Sequence, residues 1–197
     1  MPTSRISRPF ATVGDGWSGV VLTGGGSTRM GRDKALLPIE GHAMAARVAQ
    51  ALTDAGASDV VCVGGDVEAL RALGLTAVHD DHPHAGPLGG LVTGMARATE
   101  AITLITPCDL VRPSAEPFRA LVTTLLAVPA MAALPIVDGR WRPLPAALRT
   151  TARRALADSF AEGERAVHRA IERLEFVTVD VGVLTDADTP EDLPDHR

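Results

Sequence analysis

A rhythm in the chain constrains the fold most. Short apolar runs that stop at glycine or aspartate alternate with longer stretches whose apolar residues recur at helical spacing. The runs are GVVLTG (19–24), DVVCVGG (59–65), TAVHD (76–80) and AITLITPCD (101–109). The helical stretches are MAARVAQALTDAG (44–56), VEALRALG (67–74), LGGLVTGMARATE (88–100) and SAEPFRALVTTLLA (114–127). Runs this short have the length of buried strands. Strands that alternate with helices form a parallel sheet, because a crossover is needed to bring the next strand into the same direction. After residue 128 the rhythm changes. AMAALPIV (130–137) and WRPLPAAL (141–148) flank the turn DGR (138–140) and read as a hairpin, which puts one antiparallel strand into the sheet. Helical stretches at 150–160 and 164–174, the strand FVTVDV (176–181) and a polar loop complete the chain. The expected class is α/β, a three-layer αβα domain built on a Rossmann-like, mostly parallel sheet with one antiparallel strand.

With 197 residues, of which 46% are hydrophobic, one domain with a substantial core is expected, spanning residues 18–197. Residues 1–17 carry basic side chains but no apolar stretch of the signal-peptide kind, and are expected to form a flexible N-terminal tail. No apolar run approaches the length of a membrane span. The net charge of −5 gives no electrostatic footprint for nucleic acid, so any attraction for an anion must be local. Cys62 and Cys108 show neither a CxxC pair nor zinc spacing, and read as reduced core thiols of a cytoplasmic protein.

The first strand runs into GGGSTRMGRDKALLP (24–38). Ligands of open α/β sheets sit beyond the carboxyl ends of the strands. Glycines there let the backbone approach a ligand, and inward-turned amide groups make a nest for phosphate oxygens. Arg29, Arg32 and Lys34 add positive charge around such a site. A triple glycine alone is a tight turn, but a turn does not account for the cations that follow it. The loop is expected to hold a polyphosphate, with Lys34 and Arg29 acting on it. It is not a P-loop, because Arg32 and Asp33 stand where lysine and serine or threonine belong. It is not a dinucleotide fingerprint either, because Arg29 occupies the place of the last glycine.

The complete string Gly-Gly-x-Ser-x-Arg-Met-Gly-x-Asp-Lys resembles the signature loop of the molybdenum cofactor guanylyltransferases, the MobA-type enzymes. The resemblance extends from about Ser18 to Leu193 and implies the nucleotide-diphospho-sugar transferase type of fold. Further anchors are TPCDL (106–110) and GPLGG (86–90). The resemblance implies transfer of GMP from GTP to Mo-molybdopterin, with release of pyrophosphate and formation of the guanine dinucleotide cofactor; the alternatives are a related nucleotidyltransferase using another base or another phosphorylated acceptor, or a non-catalytic nucleotide-binding regulator of the same fold. Leu22-Thr23-Gly24-Gly25 follows the Leu-x-Gly-Gly of guanylyl-transferring members, rather than the Leu-Ala-Ala-Gly of cytidylyl-transferring ones. Asp80 matches the family's nucleotide-contacting aspartate by position. The strand around Arg142 corresponds to one that borders the second substrate. A monomer in transient contact with other molybdenum cofactor proteins is expected.

The carboxylates also have readings of their own. Asp109, at the end of a central strand, faces the same cleft as the glycine loop, and one carboxylate plus substrate phosphates is an ordinary donor set for Mg²⁺. The family resemblance assigns Asp109 the same role. The alternative is a cap on the next helix. Asp186 and Asp188, spaced i and i+2, share one side of an extended stretch and could reach a second metal or the acceptor, or Asp188 could cap the turn that follows. Asp81, His82 and His84 read as a solvated loop, since the His-x-His pair has no evident third zinc ligand. The chain departs from the family after the second strand, where an asparagine is usual. Its contacts are expected to pass to the Gly64–Gly65 backbone.

Overall fold

The computed structural model of the protein describes residues 16–24, 33–182 and 184. The chain opens with β1 (Ser18–Leu22). Past residues 25–32, which lie outside the described residues, come a 3-10 turn (Lys34–Leu36) and the short hairpin of β2 (Pro38–Ile39) and β3 (His42–Ala43). Then follow α1 (Met44–Ala55), β4 (Asp59–Val63), α2 (Val67–Ala72), β5 (Ala77–Val78), α3 (Pro87–Arg97), β6 (Ile102–Pro107) and α4 (Ala115–Ala127). The last part contains β7 (Ala132–Val137), β8 (Arg140–Trp141), β9 (Ala146–Arg149), a 3-10 turn at Thr150–Ala152, α5 (Arg153–Ala161), α6 (Val167–Ile171) and β10 (Phe176–Asp180).

The main sheet runs β10-β7-β9-β6-β1-β4-β5, with β8 added to β7. Along this path only β9 is antiparallel to its neighbours, β6 and β7. Successive strand residues point to opposite faces, and the core divides accordingly. Val21, Cys62, Leu104, Ala133 and Ala147 face α1, α2 and α4, where Val48, Leu52, Leu70, Phe118 and Leu121 cover them. Val20, Val61, Ile105, Leu134 and Leu148 face α3, α5 and α6, where Leu88, Leu91, Met95, Leu156 and Ile171 do so. These are the three expected layers. Gly94 of α3 reflects how closely that helix lies on the sheet. A Cβ placed on Gly94 would fall 2.6 Å from Cγ1 of Val20, so a larger residue would push the helix off β1.

The hairpin at 138–140 forms as read, with Val137 opposite Arg140 and the turn residues Asp138 and Gly139 both at positive φ. Its second arm does not continue to 148. Pro143 and Pro145 lack the N–H that a ladder requires, so the arm stops at Trp141 and the chain resumes as β9, which inserts between β7 and β6. The helix expected at 164–174 is shorter than its pattern. The Glu164 carboxylate accepts hydrogen bonds from the N–H of Arg165 (2.8 Å) and of Ala166 (2.9 Å), holding that stretch extended until Val167. At the amino end, Trp17 is only 5% exposed and its carbonyl accepts the Ser58 N–H at 2.9 Å, so packing begins one residue before Ser18. Residues 1–15 of the expected tail lie outside the described residues. Among those described, no helix is long and apolar enough to cross a membrane.

Candidate active site

The carboxyl ends of β1, β4, β5 and β6 lie side by side. The chain leaving β1 is tied at once to the end of β4. The N–H groups of Thr23 and Gly24 both reach the carbonyl of Val63 at 3.0 Å, and Thr23 Oγ1 lies 3.0 Å from that oxygen and 2.8 Å from the carbonyl of Gly64. Gly64 has φ +82°, and a Cβ there would fall 2.9 Å from the Cα of Gly24. The two loop backbones touch, and the positive φ and close approach at Gly64 require glycine there. This contact sets where the glycine loop starts.

The far end of the loop is tied to the connection that follows β4. Asp33 Oδ1 accepts the Ala35 N–H at 3.0 Å and caps the 3-10 turn, while Oδ2 accepts the Asp66 N–H at 2.7 Å. The next residue, Lys34, points at the end of β6. Its Nζ lies 3.0 Å from Asp109 Oδ2, with the side chains 17% and 24% exposed. Asp109 therefore does not serve as the α4 cap. That position belongs to Ser114, and Asp109 faces the cleft. Lysine and aspartate, 75 residues apart in sequence, thus meet beside the start of the glycine loop.

Asp80 follows β5 on the other flank. Its Oδ1 accepts the Thr93 hydroxyl at 2.8 Å and the His82 N–H at 2.9 Å. Asp81 is not simply solvated: its N–H reaches Thr93 Oγ1 at 3.1 Å and its carboxylate takes Nη2 of Arg97 at 2.7 and 3.0 Å. His82 packs against the Phe160 ring at 4.6 Å, and the Arg165 guanidinium covers the same ring at 4.3 Å. The Leu88 N–H, in the first turn of α3, is turned toward the Arg165 carbonyl at 3.3 Å rather than toward the cleft.

Other expected residues sit further out or are not described. Gly25, Arg29, Asp186 and Asp188 lie outside the described residues. Arg142 follows β8, with its N–H on the Pro135 carbonyl at 2.9 Å, at the carboxyl-terminal side of β7 and across β9 from β6. Among the described residues, no three His, Cys, Asp or Glu side chains converge on a metal position. Asp109, a single carboxylate, is a donor that would fit Mg²⁺, the remaining positions falling to phosphates and water. Cys62 and Cys108 are free and buried. Burial pushes the Cys62 thiol up to about 12. Cys108 is likewise pushed up to about 12, first by burial and then by the charges of Asp109 and Asp33. Both are thiols, not nucleophilic thiolates, at neutral pH.

Residues 19–181 match the family described as MobA-like NTP transferase domain. The chain belongs to that family. A molybdenum cofactor guanylyltransferase of Xanthomonas euvesicatoria is 44% identical over 95 residues, 48% of this chain and 47% of that protein, so this alignment spans about half the relative's length. A Bacillus cereus protein named "Probable molybdenum cofactor guanylyltransferase" is 32% identical over 155 residues, 77% of each chain. The crystal structure of molybdopterin-guanine dinucleotide biosynthesis protein A from Archaeoglobus fulgidus superposes with a TM-score of 0.71. It has 21% identity and covers 91% of this chain and 96% of that one, a likeness of fold.

Two residues gain a role that the family pattern did not give them. Asp33 stood in the signature loop, but its bond to the β4–α2 connection joins residues 33 apart and has no local signal. Thr93 is 1% exposed in an otherwise apolar face of α3. A hydroxyl in such a face needs a partner, and that need is the one signal that could have singled it out.

Proposed function

We infer that the protein transfers GMP from GTP to Mo-molybdopterin. The observation that carries this reading is the meeting of Lys34 and Asp109 at the carboxyl edge of the sheet, beside the start of the glycine loop. The glycine loop and the Lys34 ammonium are assigned to the triphosphate, and Asp80 and residues 22–25 to the nucleoside. Asp109 is the side chain that would hold Mg²⁺, which when bound supplies positive charge to the phosphate oxygens.

The reaction needs position and neutralisation more than proton transfer. A phosphate oxygen of the acceptor forms a bond to the α-phosphorus of GTP. The bond from that phosphorus to the bridging oxygen breaks, and pyrophosphate leaves with the electron pair. The attacking phosphate is already ionised at neutral pH, so no general base is required. Lys34 neutralises charge on the departing phosphates. Arg142, on the β7 side, together with Asp186 and Asp188, is assigned to the acceptor. A monomer working in the cytoplasm, in passing contact with other molybdenum cofactor proteins, completes the reading.

Thermal shift with GTP, CTP, ATP and UTP tests the nucleotide. A ligand at a hundredfold excess over Kd stabilises by ~2.7 kcal/mol, so GTP with Mg²⁺ should raise Tm more than the other three. Equal shifts would remove the guanine assignment. Pyrophosphate release from GTP only when molybdopterin is present tests the acceptor.

A further inference from the structure

We propose that Thr93 is a positioning residue for nucleoside recognition, acting through Asp80. The inference rests on the GTP reading of this cleft. Asp80 Oδ1 is saturated, holding the Thr93 hydroxyl at 2.8 Å and the His82 N–H at 2.9 Å. Among the described residues no hydrogen bond reaches Oδ2. That oxygen stands over α3, 3.7 Å from where a Cβ on Gly90 would lie, and Cδ2 of Leu22 is 3.4 Å from the same point. Leu22 is the last residue of β1, so the unused oxygen is presented next to the start of the phosphate loop. A carboxylate oxygen is purely an acceptor. It suits a ligand that brings donors, the N–H groups of a base or the hydroxyls of a ribose, and it offers nothing to phosphate.

Thr93 decides which oxygen is presented. The His82 bond spans only two residues and belongs to the local turn. It would follow the loop wherever the loop went. The Thr93 bond comes from a buried helix, 13 positions away, and Thr93 Oγ1 also accepts the Asp81 N–H at 3.1 Å. One turn further along the same face, Arg97 holds the Asp81 carboxylate. The helix thereby grips both aspartates, and the hydroxyl fixes the rotation of the Asp80 carboxylate. Without it the carboxylate can turn, and the donor-accepting edge is no longer preorganised.

The experiment compares two probes on the full chain by calorimetry. GTP contacts both the phosphate loop and Asp80, whereas inorganic tripolyphosphate contacts only the loop. Thr93→Val, close to isosteric, should raise the Kd for GTP about tenfold, the loss expected for one hydrogen bond to a charged group. The Kd for tripolyphosphate should not move, and Thr93→Ser should restore GTP affinity. In an Asp80→Ala background, Thr93→Val should cost nothing further. Should Thr93→Val fail to fold, Thr93→Ala carries the same comparison. Unchanged GTP affinity in Thr93→Val, while Asp80→Ala loses it, overturns the proposal. Equal loss for both probes, or additivity with Asp80→Ala, overturns it too, because Thr93 would then act on packing or elsewhere. A wild-type protein that binds tripolyphosphate but not GTP removes the nucleotide reading itself, and this inference with it.

Discussion

Lys34 Nζ stands 3.0 Å from Asp109 Oδ2 and joins the end of the glycine loop to the end of the central strand β6. The pair is partly buried and lies at the carboxyl edge of the sheet, where the proposed reaction puts the triphosphate. On the proposed reading it would hold the lysine beside the triphosphate. Each partner can be removed separately, and the consequences differ.

Asp109→Asn should keep the fold and lose most of its turnover, at least ~100-fold, the scale of one transition-state stabiliser. The amide has the same shape, and its oxygen can still accept a hydrogen bond from the Lys34 ammonium, so the packing should survive. A neutral amide oxygen is, however, a poor partner for Mg²⁺. GTP-dependent transfer at saturating Mg²⁺ is the measurement, with circular dichroism to check the fold. A folded variant with near-normal turnover would sink the metal role.

Lys34→Ala should weaken GTP more than GMP, because the ammonium is assigned to the terminal phosphates. A charge-assisted contact of this kind contributes ~1.5–3 kcal/mol, so the loss in GTP affinity should exceed about tenfold. Titration of both nucleotides by calorimetry gives the comparison. Equal losses for GTP and GMP would place the lysine near the α-phosphate or the ribose, and no loss would move it out of the site.

Gly64→Ala tests the contact between the two loops. Its Cβ would meet the Cα of Gly24 at 2.9 Å, and Gly24 is backbone with no side chain that could give way. The positive φ adds strain of ~1–3 kcal/mol for a non-glycine residue. Urea unfolding should show that loss, and tripolyphosphate affinity should fall as the loop start is displaced. A variant with wild-type stability and affinity would show that the two loops do not depend on each other.

The two cysteines predict a dependence on alkaline pH. Both thiols are raised from an ordinary value of 9.0 to about 12 in the folded protein. A raised value means that the folded state keeps its proton where the unfolded state has lost it. The stability this contributes is intact below about pH 9 and drains away as pH climbs toward 12. Unfolding free energy should therefore decline through that window, less so in Cys62→Ala. In the native protein at pH 8, a thiol reagent should label neither cysteine, and both should react once urea unfolds the chain. Rapid labelling of the native protein would contradict their burial.

Much of this protein can be read along the chain. The alternation of apolar runs with helical stretches identifies the three layers, because burial on one or two faces imposes a period on neighbouring residues. Glycines and aspartates at the ends of those runs mark the carboxyl edge of the sheet, where the strands stop and the proposed site lies. Asp138-Gly139 announces its own turn for the same local reason. The tertiary structure alone decided the rest. It inserted β9 between β7 and β6, where the sequence suggested one long hairpin arm. It brought Lys34 to Asp109 and Asp33 to the Asp66 N–H. It turned Thr93, which reads as one more member of an apolar helix face, onto Asp80. A period reports which face of an element is buried. Which strand lies beside which, and which loop meets which helix, is set by packing among residues tens of positions apart, and those pairings leave no mark on the local pattern.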